Sequence, residues 1–175
     1  MKNNPIQTML FEHETICQVE EIIKNLDGIW EDNSEKYKET VLTLINFFRE
    51  FADENHHRKE EEVLFPAISN HPEFILNEII DELEQHHEDF REYTQEIEAA
   101  LDENEFERSY KELCNYLEDL LDHIAVENDE LFVLAETLLE EEDLETIYFK
   151  FKDIDLEIGE DYITELKDSI TALIN

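Results

Sequence analysis

Apolar residues recur along this chain at alternating steps of three and four, the spacing that lines one face of an α-helix. Five stretches carry that period. Over residues 5–27 the stripe is Ile6, Leu10, His13, Ile16 or Cys17, Ile23 and Leu26. From about Ser34 to Ser69 it is Val41, Ile45, Phe48, Ala52, His56, Glu60, Val63 or Leu64, and Ala67. The third stretch follows Asn70-His71-Pro72 and reaches about Leu101 through Leu76, Ile80, Leu83, His87, Phe90, Thr94 and Ile97. The fourth extends to about Glu140 through Leu113, Tyr116 or Leu117, Leu120, His123, Glu127, Leu131, Leu134 and Leu138. The last carries Leu144, Ile147, Phe151, Ile154, Ile158, Tyr162, Leu166, Ile170 and Leu173.

Punctuation between the stripes is sparse. Gly28 can close the first helix with a positive φ, and Ser34 can cap the second. Pro66 is expected to kink or loosen the end of that second helix, and Pro72 to sit in the first turn of the third. Acidic turns at 102–105 and 140–143 separate the rest. With only 2 glycines and 3 prolines, the chain has few of the turn residues that a β-sheet needs. The pattern predicts an all-α fold. Residues 1–140 are expected to form an up-and-down four-helix bundle, and residues 141–175 to add a C-terminal helix to the same domain. Gly159 weakens that helix without having to end it. Lacking histidine, it is expected to pack, over an end of the bundle or in a dimer. Trp30 is expected to close one end of the core.

Composition narrows the partners. The chain has 175 residues, enough for one domain, and 49 acidic against 13 basic residues give a formal charge of -36. Such a surface repels nucleic acid and anionic membranes. Most of these carboxylates read as solvated helix faces. No stretch approaches the roughly 20 apolar residues of a spanning helix. The absence of a signal-length apolar run near the N-terminus, and the isolation of Cys17 and Cys114, point to the cytoplasm. The strong charge makes a monomer the expected state, and the last helix could support a homodimer.

Polar residues interrupt four of the five stripes. His13 lies in the first, and His56 and Glu60 lie one turn apart in the second. His57 and Glu61 make a similar pair, but they continue the polar Asp53, whereas His56 and Glu60 continue Phe48 and Ala52. The sequence therefore places His56 and Glu60 inside, and His57 and Glu61 outside or behind them. His87, rather than its neighbour His86, completes the third stripe. His123 and Glu127 repeat the His-x-x-x-Glu spacing in the fourth, and in both copies Leu-Phe follows four residues after the glutamate. Burying two ionised carboxylates is costly unless cations sit between them. Helical bundles build metal sites from side chains on facing helices, and neutral imidazoles with carboxylates suit iron, manganese or zinc. Two bridging glutamates and four terminal histidines make a two-metal site with positions open to a small ligand. No inward cysteine supports an iron–sulfur or Cys-rich zinc site.

The segments FEHETI, HHRKEEEVLFP, HHEDFRE and DHIAVENDELF resemble those of the hemerythrin-like (HHE) cation-binding proteins over roughly residues 5–140. The resemblance implies a four-helix bundle around two non-haem iron ions joined by an oxo or hydroxo bridge, interacting with O2, NO or peroxide. It makes His13, His56, His87 and His123 terminal ligands, and Glu60 and Glu127 bridging carboxylates. Two positions depart from the O2-carrying members. Those have a further histidine on the third helix, four residues from the first, where this chain has Leu83 or Arg91. They also have an aspartate where this chain has Asn128. Three functions follow as expectations: a di-iron sensor, scavenger or store; a di-iron enzyme that reduces NO or peroxide or supplies iron for repair of iron–sulfur centres; and a redox-inactive zinc or manganese protein.

Overall fold

The computed structural model describes residues 3–174, and among them there is no β-strand. Asn4 starts the first arm: its side-chain oxygen accepts from the backbone N–H groups of Ile6 at 2.9 Å and Gln7 at 3.4 Å. Pro5 fills the first turn, where no N–H is needed. Helices α1 (Pro5–Ile16) and α2 (Val19–Lys24) form this arm. Gly28 then adopts φ 71° and leads into the single turn α3 (Ile29–Asp32). Trp30 packs edge-on to Tyr37 at 5.2 Å, closing that end of the core as expected.

The second arm is α4 (Ser34–Phe47), two π-helical segments, π1 (Phe48–His57) and π2 (Glu60–Leu64), and α5 (Phe65–Ser69). Its cap is Asn33 rather than Ser34, the Asn33 side chain accepting from Lys36 N–H at 3.0 Å. The third arm is α6 (Asn77–Asp102). Pro72 is not in its first turn: residues 70–76 form a connection and Leu76, ahead of the helix, is 52% exposed. The fourth arm is α7 (Phe106–Val126), π3 (Glu127–Leu131) and α8 (Phe132–Leu138). A capping box between Glu140 and Asp143 then starts α9 (Glu141–Ile158), and α10 (Glu160–Ile174) ends the described chain.

The π-turns have a readable cause. An α-helix rotates about 100° per residue, so each step of four drifts by about 40°. Phe48, Ala52, His56, Glu60 and Leu64 make four such steps, which would carry Leu64 about 160° round the helix from Phe48. All five are buried. The wider π-turns rotate less per residue and cancel the drift. His123, Glu127, Leu131 and Ala135 do the same through π3, and all four are buried.

The interior divides into two apolar lobes. One holds Ile16, Val41, Phe48, Ile97, Leu113 and Leu120. The other holds Ile6, Met9, Leu64, Leu83, Leu131 and Phe132. The polar layer lies where the four arms pass from one lobe to the other. The C-terminal segment, expected as one helix, forms two. Gly159 takes φ 104° and ψ 114°, a conformation side-chain-bearing residues rarely adopt, and this breaks the helix. Just past the break, Ile163 takes the inward place expected of Tyr162. Leu144, Ile147, Phe151 and Ile154 are buried before it, and Ile163, Leu166 and Ile170 after it, while Tyr162 is 37% exposed. Instead of covering one end, this arm runs along the bundle. α9 packs on α1 and on both π1 and π2, and α10 on α2, α4 and π1. Each large apolar side chain fully buried contributes about 1.5–3 kcal/mol, so apolar packing carries most of the arm's attachment. Among the described residues no helix is long and apolar enough to cross a membrane.

Candidate metal centre

Seven side chains meet in the layer between the lobes, none more than 2% exposed: His13, His56, His57, Glu60, His87, His123 and Glu127. They form two overlapping donor groups, each with ligand atoms within 4.8 Å of one another. One is His57, Glu60, His87 and His123; the other is His13, His56, Glu60 and Glu127. Glu60 belongs to both. Its Oε1 lies 3.5 Å from His56 Nε2 and its Oε2 lies 3.5 Å from His87 Nε2. Glu127 spans the layer in the same way, with Oε1 3.3 Å from His123 Nε2 and Oε2 3.2 Å from His13 Nε2. His87 Nε2 and His123 Nε2 are 3.2 Å apart.

All six residues expected inside are brought together. His57, expected outside or behind His56, is a correction: its ring stacks on His87 with centroids 3.8 Å apart. The reason is the wide π1 turn, which turns both neighbours inward where a regular helix would point them about 100° apart. Glu61 does stand behind, half-buried, against His87. His86 is half-buried, with Nδ1 3.3 Å from His123 Nδ1.

Every inward imidazole has a partner at Nδ1. His13 meets Asn128 Oδ1 at 2.7 Å, His56 meets Glu12 at 2.9 Å, His57 meets Asp53 at 3.2 Å and His87 meets Glu61 at 2.8 Å. In these four the oxygen accepts, so the proton sits on Nδ1 and the Nε2 lone pair faces the layer, as a ligating histidine requires. Arg91 fixes two of the acceptors, donating to Asp53 at 2.7 Å and Glu61 at 2.8 Å. Asn128 and Arg91 are two of the positions that depart from the O2-carrying proteins. Here they serve as supports for the donors. Glu12, Lys59 and Asp155 were not anticipated. Lys59, 0% exposed, lies between the carboxylates of Glu12 at 2.5 Å and Asp155 at 2.6 Å. In a chain with 49 acidic residues, nothing marked these two carboxylates as buried. The stranded Lys59, one residue before an inward glutamate, was the available signal.

The donors themselves lack hydrogen-bond partners. Both oxygens of Glu60 and of Glu127 are buried without a donor, as are Nε2 of His13 and of His56. Burial, then the Glu127 carboxylate beside it, push Glu60 well above the ordinary carboxylate range. A pocket of converging lone pairs and repelling carboxylates is costly when dry, and cations resolve it. The nitrogen and oxygen donors fit iron, manganese or zinc, and no thiol is among them.

Burial also pushes the His56 imidazole down to about 4, against the pull of its hydrogen bond to Glu12. His57 is held well below the usual histidine range by burial and by His87, and burial lowers His87 too. These shifts set a pH dependence. The unfolded chain protonates its histidines near pH 6.5, before the folded chain does, so each contribution is whole above about pH 6.5 and declines as pH falls. For His56 the decline runs down to about pH 4 and amounts to about 2 kcal/mol by pH 5. Glu60 works in the opposite sense, but it is one group against three. The melting temperature of chelator-treated protein, followed by circular dichroism, should therefore fall between pH 7 and pH 5.

Antiparallel helical arms around a buried layer of imidazoles and carboxylates define a helical-bundle cation-binding domain. The chain belongs to the family of the hemerythrin HHE cation binding domain, whose pattern matches residues 4–135. No curated protein and no solved structure matched the chain significantly.

Proposed function

We propose that this chain is a non-haem di-iron protein that interacts with O2, NO or peroxide as a sensor, scavenger or store. The observation that carries this reading is the membership of Glu60 in both donor groups. One carboxylate shared between two sets of imidazoles is the arrangement that two adjacent cations require. His13, His56, His57, His87 and His123 would be the terminal ligands, and Glu60 and Glu127 the bridging ones. The donors divide unequally. Three imidazoles would hold one cation and two the other, which would leave the second more open to a small ligand. When bound, iron would supply the redox and ligand-binding chemistry. The chain's own residues hold four of the five imidazoles in one tautomer and exclude bulk water with the two apolar lobes. A cavity of about 240 Å³ borders His57, Asp53, Phe90, Arg91 and Tyr116, on the three-imidazole side of the layer. We further place the chain in the cytoplasm, as a monomer or homodimer, with residues 1–140 as the bundle and 141–175 as an extension of the same domain.

Metal analysis of aerobically purified protein tests this, with a visible spectrum read before and after anaerobic reduction. About two irons per chain, with near-ultraviolet absorption that bleaches on reduction, are expected. Zinc or manganese with a featureless spectrum would overturn the di-iron reading in favour of a redox-inactive metal protein. Adding O2 or NO to the reduced protein then separates stoichiometric binding from turnover.

A further inference from the structure

The C-terminal arm lies beyond the residues that the family pattern matches, yet it reaches the metal centre through buried charge. Asp155, near the end of α9, is 7% exposed, Lys59 is 0% exposed and Glu12 is 6% exposed. Lys59 Nζ is 2.6 Å from Asp155 Oδ1 and donates to Glu12 Oε1 at 2.5 Å. The other oxygen of Glu12 accepts from His56 Nδ1 at 2.9 Å, and His56 Nε2 belongs to a donor group. The line thus runs from α9 through the second arm and α1 to the layer. A lysine is almost never buried this completely unless its charge is matched, and removing one partner of such a set strands the others.

We propose that Asp155, through Lys59 and Glu12, is a positioning residue for His56, and that cation occupancy and the docking of α9 are coupled. This rests on the reading of His56 as a ligand. With its Nε2 engaged, the His56 ring is fixed and its Nδ1–H becomes a stronger donor to Glu12. With Nε2 a buried lone pair that no donor meets, that one hydrogen bond alone orients the ring. Whatever loosens Glu12 loosens Lys59, whose remaining partner is Asp155 on the arm. The coupling is reciprocal: the factor by which occupancy tightens α9 is the factor by which docked α9 tightens the site. The arm is then the segment whose exposure changes with occupancy.

The test uses the full chain loaded anaerobically with Fe(II), its affinity measured by competition with a chromophoric chelator. Asp155→Asn should weaken Fe(II) binding about tenfold, the low end for groups that support a ligand from behind. Glu157→Gln is the control. It removes a surface pair with Arg58, 2.6 Å long, that joins the same two elements outside the buried line. Its affinity should stay within about twofold of wild type. In wild-type protein, tryptic cleavage at Lys152 and Lys167 should be about tenfold faster after stripping the metal than in the loaded form. The proposal is overturned if Asp155→Asn lowers the melting temperature of stripped protein but keeps wild-type affinity. It is also overturned if Glu157→Gln loses as much affinity, or if the arm is cleaved equally fast with and without Fe(II). Failure of the wild-type chain to bind Fe(II) at all is a separate result, seen before any variant is made, and it removes the reading of the site itself.

Discussion

Glu60→Gln should abolish loading of both cations and at the same time raise the melting temperature of the metal-free protein. The two effects share one cause. Glu60 is 0% exposed, has no hydrogen-bond donor at either oxygen and faces a second carboxylate, Glu127. Without cations that charge is a liability. Burial and Glu127 raise its pKa, so the penalty is absent in acid, grows as pH rises above the ordinary carboxylate value and is greatest above the raised one. The carboxamide removes that charge penalty, and each kcal/mol recovered moves the melting temperature up by about 2–4 °C in a chain of this length. The carboxamide cannot balance two cations, so affinity should fall by more than the roughly 10–100-fold typical of a lost supporting group. Glu12→Gln should behave in the opposite way. Burial alone would raise the Glu12 pKa, but its hydrogen bond with His56 and the Lys59 charge outweigh this and hold it at about 2. Its removal strands Lys59 and should lower the melting temperature. Calorimetry in chelator, with metal analysis of the same samples, reads both. A Glu60→Gln protein that loads two cations as wild type does would rule out the shared carboxylate.

The bundle was legible because four long apolar stripes sit between weak turns. The inward positions of His13, His56, Glu60, His87, His123 and Glu127 followed from the phase of those stripes. His57 was not legible, because the phase of a regular helix puts it on the face of Asp53. Five residues spaced by four in succession, Phe48 to Leu64, already exceeded what an α-helix can keep on one face. That excess was the sign of π-turns and of a second inward histidine. Asp53 misled for a related reason. Its polarity marked a solvent face, whereas it is half-buried and holds His57. The partners of Lys59 were out of reach of any periodicity. Glu12 and Asp155 differ from dozens of solvated carboxylates only by tertiary placement, and the break at Gly159 that turns α10 along the opposite lobe depends on a backbone conformation open to glycine. Support for the donors, rather than the donors themselves, is what one-dimensional patterning failed to show.

His57→Ala should reduce the metal content from about two cations per chain to about one. The variant leaves His13, His56, Glu60 and Glu127 intact as one donor group and takes an imidazole from the other. It also removes the ring stacked 3.8 Å from His87, freeing a second ligand of the same group to turn away. Arg91→Met should act on that same half more gently. Arg91 holds Asp53 and Glu61, which in turn orient His57 and His87, so its loss should weaken one cation about 10–100-fold and spare the other. The variants therefore separate on titration. Arg91→Met reaches two cations at high metal concentration, and His57→Ala stops at one however much is added. A His57→Ala protein that binds two cations with wild-type affinity would make His57 a packing residue and return the centre to four histidines. A protein that binds none would mean that the halves load only together, with Glu60 and Glu127 unable to hold a single cation between two imidazoles.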